Sequence, residues 1–94
     1  MSQDNVVPQL LISIQNELEK QISDSKKDVE INMGKIIELS DELINSLNDS
    51  NLSSGSKQAL IDFSHRSWVK QTSIDNLQIQ LENAKDILKQ FPSN

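Results

Sequence analysis

The sequence predicts an all-α chain folded as a long antiparallel helical hairpin, whose two long helices form a coiled coil or part of a helical bundle with other chains. Three observations carry this. Near the C-terminus Ile74, Leu77, Leu81, Ala84, Leu88 and Phe91 recur at alternating steps of three and four residues, and Pro92 follows. Earlier, Val29, Met33, Ile36, Ser40, Leu43 and Leu47 repeat the same spacing. An apolar repeat of about 3.5 residues keeps one narrow stripe facing a partner helix over a long contact. Between the two stripes lies Asn48-Asp49-Ser50-Asn51-Leu52-Ser53-Ser54-Gly55-Ser56, rich in residues that favour turns.

Residues 1–7 read as a flexible arm and 8–91 as a single hairpin domain, with 92–94 as a tail. Pro8 suits a helical first turn, where its missing N–H would be unpaired anyway. Leu11, Ile14, Leu18 and Ile22 then mark a first amphipathic stretch. The polar run Ser23-Asp24-Ser25-Lys26-Lys27-Asp28 thins the pattern and either exposes a helix face or breaks the helix; one long helix over about 8–48, with room for a kink, is the reading, and a break near 23–28 is its rival. Gly34 falls inside the second stripe, where it would cost about 1 kcal/mol relative to alanine. The connection takes 49–56, with Ser54 and Ser56 as candidate caps for a second helix over about 57–91. Each arm would then be roughly 50–60 Å long.

Two such helices leave Leu10, Ile37, Leu39, Ile44, Leu52 and Ile61 without cover. Burying each fully is worth about 1.5–3 kcal/mol, so completion of a bundle by another chain is expected. The chain has 94 residues, no cysteine and one histidine, so neither disulfides nor a zinc site are expected as staples. Two Phe and one Trp supply all its aromatic bulk. Leu and Ile dominate instead, which suits seams between helices.

A formal net charge of -5 disfavours phosphate backbones and anionic membrane surfaces, whose binding relies on Lys and Arg. The one basic pair, Lys26-Lys27, is flanked by Asp24 and Asp28. No stretch approaches the roughly 18 apolar residues of a membrane span. The first residues carry no basic segment of a leader. An intracellular, soluble protein of cytoplasm or nucleus is expected, with export by an unconventional route left open.

No catalytic, cofactor-binding or metal-ligating set is expected. His65 has Asp62 three residues before it but no nucleophile in a recognisable pattern. Carboxylates such as Glu82 and Asp86 stand three residues before Lys85 and Lys89, as on solvated helix faces. Asp49-Ser50-Asn51 lacks the later glycine and terminal glutamate of a calcium loop. The expected contact residues are Val29, Met33, Ile36, Leu43, Leu47, Leu60, Phe63, Trp68, Ile74, Leu77, Leu81 and Leu88. Trp68, with His65, Arg66 and Lys70 nearby, reads either as a bundle Trp with its indole N–H at the rim among solvated cations or as the anchor of a partner-binding epitope, and both place it in a contact.

In outline the chain resembles the small coiled-coil subunits of eukaryotic assemblies such as kinetochore, transcription-coactivator or vesicle-tethering complexes, through its acidity and Leu/Ile-rich helices. With Gly55 at mid-chain and Phe63 after it, it is also similar to the helical-hairpin substrates of type VII secretion. That family carries Trp-x-Gly at the turn, where this chain has Ser53-Ser54-Gly55. The leading expectation is a non-enzymatic structural subunit that joins other helical chains, a hetero-complex before a homo-oligomer. The alternatives are a type VII secretion hairpin or its partner, and an adaptor that binds a client through one helix face.

Overall fold

A computed structural model of the chain describes residues 6–48, 52–67 and 72–91. Among these it contains four helices: α1 (Val6–Ser25), α2 (Gly34–Leu47), α3 (Ser54–Ser67) and α4 (Ile74–Leu88). The all-α expectation holds, but the two-helix hairpin does not. Each predicted arm is divided, and no helix exceeds 20 residues, about 30 Å. Helix α1 packs against both α2 and α4, and α3 packs against the same two helices from the other side. The helices thus form a closed ring in sequence order.

The links impose its direction. Eight residues join α1 to α2, and a hydrogen bond from the Asn32 N–H to Gln21 Oε1 holds the entry of α2 beside the last turns of α1. Helix α2, packed against α1, therefore turns back beside it, as in bundles with short connections. Where α3 meets α4, Ala59, Asp62 and Arg66 line one groove with Ile87, Asp86 and Asn83.

Local chemistry explains both breaks. Helix α1 ends in a Schellman motif: the Val29 N–H donates to Asp24 O at 3.0 Å and the Asp28 N–H to Ser25 O at 3.1 Å. Asp28 takes the left-handed conformation this motif needs, at φ 65°. The buried Gln21 side chain then holds the link, its Oε1 accepting from the Asn32 N–H at 2.9 Å. Asn32 Oδ1 accepts in turn from the Gly34 N–H at 2.9 Å. Gly34 is thus the first residue of α2, where it avoids the penalty of a helix interior.

The second break falls at Ser73. Its extended backbone (φ -117°, ψ 165°) and its Oγ, which accepts from the Asn76 N–H at 3.3 Å, make it the N-cap of α4. Asp75 in the first turn complements the positive end of the helix. At the head of α3, Ser53 takes the role expected of Ser54 or Ser56: its Oγ accepts from the Ser56 N–H at 3.2 Å.

The ring buries one core. Val7, Leu11, Ile14, Leu18 and Ile22 come from α1, while Met33, Ile36, Leu39, Leu43 and Leu47 come from α2 and its entry. Leu60 and Phe63 of α3 and Leu77 and Ala84 of α4 complete it. Of the six residues that a hairpin would leave without cover, Leu39 is buried in this core and Leu10, Ile37, Leu52 and Ile61 pack partly buried against it.

Candidate functional surface

The predicted seams are real helix stripes, and the structure turns them inward. Met33, Ile36, Leu43, Leu47, Leu60, Phe63 and Leu77 are buried in the chain's own core. Ile74, Leu81 and Leu88 are half-buried against it. Val29 departs from the stripe: it follows the Schellman turn on the α1–α2 link and is 51% exposed. Trp68 and Lys70 lie outside the described residues. His65 and Arg66 stand exposed on the last turn of α3.

Two glutamines that the seam pattern passed over organise the interior. Gln80 of α4 donates through Nε2 to Ser67 Oγ at 2.8 Å and to Phe63 O at 3.3 Å, both on α3. Ser67 Oγ also donates to Phe63 O at 3.2 Å, and Asn83 Nδ2 donates to Gln80 Oε1 at 3.4 Å. Gln21, besides holding the link, donates through Nε2 to Glu17 at 3.0 Å. Their positions carried a signal: Gln80 lies three residues after Leu77 and four before Ala84, and Gln21 three after Leu18. Polar groups at core spacing are kept where a partner satisfies them. Among the described residues Ser40 and Ser64 are the exceptions, fully buried with no hydrogen-bond partner for either hydroxyl.

The outer surface holds isolated apolar residues in a polar setting. Ile79 is 57% exposed on α4, framed by Asp75, Gln78, Glu82 and Asn83. Ile12 of α1 is 47% exposed. Between α1 and the end of α4, Gln15, Lys85, Leu88, Lys89 and Phe91 line an open groove of about 500 Å³. Its lysines face their own helix: Lys85 lies 4.0 Å from Glu82 and Lys89 3.9 Å from Asp86, the expected pairs. These exposed pairs are worth a few tenths of a kcal/mol each.

Among the described residues, no group of three or more His, Asp or Glu side chains converges to hold a metal ion. No described helix is long and apolar enough to cross a membrane. What the arrangement offers chemically is contact: a filled core, a polar lock between α3 and α4, and a few apolar side chains outside. No family profile, curated protein or solved structure matches this chain.

Proposed function

We propose that this chain is a non-enzymatic structural subunit of a multi-protein assembly, joined to partner chains by helix packing. The supporting observation is Ile79. It is a large apolar side chain left in water at the outer face of α4, in a frame of polar residues, while the core is already filled. An apolar anchor inside a polar rim is the usual composition of a protein contact. The partner is another helical protein, and the net charge of -5 directs it away from nucleic acid.

The closed ring favours a second form of the same reading. A chain that fills its own core is suited to act as an adaptor, folded alone and presenting one helix face to a client. Site-specific photo-crosslinking in the source cells tests both. A defined protein adduct from position 79, absent from the exposed position Lys20 on α1, is the expected result. No adduct at 79, or the same adducts at both positions, would overturn it.

A further inference from the structure

We propose that α3 is a strap that opens as a unit while α1, α2 and α4 stay packed. Four observations converge on it. Helix α3 contributes only Leu60 and Phe63 to the buried apolar core, against five such residues from α1 and four from α2. Helix α4 buries two, Leu77 and Ala84, but Ile74, Leu81, Ile87 and Leu88 also pack against the core. Beside Leu60 and Phe63, Ile61 is the one further large apolar residue that α3 adds.

The other buried positions of α3 are Ser64 and Ser67. Ser64 Oγ is sealed from water without a partner, a group that water would satisfy once α3 lifts. Ser67 bonds back onto Phe63 O of its own helix, a habit that weakens helices. At 14 residues, four of them serine and one glycine, α3 is too short and too poor in helix formers to persist undocked.

The rest of the bundle does not depend on it. Helix α1 packs against both α2 and α4, so those three helices keep both of their mutual contacts when α3 leaves. Across the α3–α4 interface, Gln80 holds Ser67 and Phe63 O by hydrogen bonds that water can replace. Segments with few buried apolar contacts open first, below the cost of global unfolding. Opening uncovers the faces of α2 and α4 that α3 had covered, a trough the width of one helix. The inference stands whether or not a partner enters that trough.

Native-state hydrogen exchange of the full chain in rising urea tests it. In the absence of urea, amides of α3 should exchange at least about tenfold faster than those at the centre of α1, and with a smaller urea dependence. Ile14→Val in α1, a mild core change, should speed exchange in α1 about threefold or more and leave α3 unchanged. Ser64→Ala should slow exchange in α3, because the penalty of the orphan hydroxyl that it removes exists only in the closed state. One common exchange rate and urea slope for α1 and α3, or an Ile14→Val effect of equal size in both, would overturn the proposal.

Discussion

Gln80 Nε2 lies 2.8 Å from Ser67 Oγ, and this hydrogen bond joins α4 to α3 inside the core. The same nitrogen reaches Phe63 O, so a single side chain satisfies polar groups at two levels of α3. Buried networks of this kind specify one arrangement of elements when every member is paired. Gln80→Ala should lower stability by about 1–3 kcal/mol in urea unfolding. Combined with Ser67→Ala, it should show a coupling of about 0.5 kcal/mol or more, whereas additive losses would mean the pair does not act together.

Asp28 holds a left-handed backbone that glycine adopts without strain. Asp28→Gly should therefore raise stability by about 0.5–1 kcal/mol, and Asp28→Val should lower it. Thermal unfolding midpoints moving the opposite way would show that α1 does not end in this turn.

The cap at Ser73 separates α3 from α4. Ser73→Ala should cost about 1 kcal/mol, and Ser73→Asp should retain most of the stability because its carboxylate can also accept from the Asn76 N–H. In a continuous helix over 57–91 the alanine would stabilise instead, so the sign of the change decides between the two folds.

Much of this architecture was legible in the residues. The stripes Met33–Leu47 and Leu77–Leu88 face a helical core, as their spacing requires. The break that the polar run 23–28 offered as the rival to one long helix is present, but it spans 26–33 with Ser23–Ser25 still in α1, and its turn comes from Asp28. What the pattern concealed was the second break. Phe63, Ser67 and Ile74 keep a periodic spacing across it, and only Ser73 followed by Asp75 announces a new helix. The partner of each stripe was not legible either. Spacing specifies which face is covered, while whether the cover comes from the same chain depends on link lengths and turns.

Ser40 is buried with its hydroxyl unpaired in the middle of α2. Ser40→Ala should leave the fold intact and raise stability by roughly 1 kcal/mol. Leu43→Ala, three residues on and fully buried, should cost about 2–5 kcal/mol. A Leu43→Ala protein as stable as the parent in urea would place Leu43 outside the core.

The central claim is that α1 and α2 fold back on each other instead of forming one arm. The chain has no cysteine, so spin labels can be placed at Gln9→Cys and Asn45→Cys, both exposed positions. Pulsed electron–electron resonance should then give a distance well below the 41 Å long axis of the protein. A continuous helix would separate the same two positions by about 54 Å, and a peak there would contradict the four-helix ring.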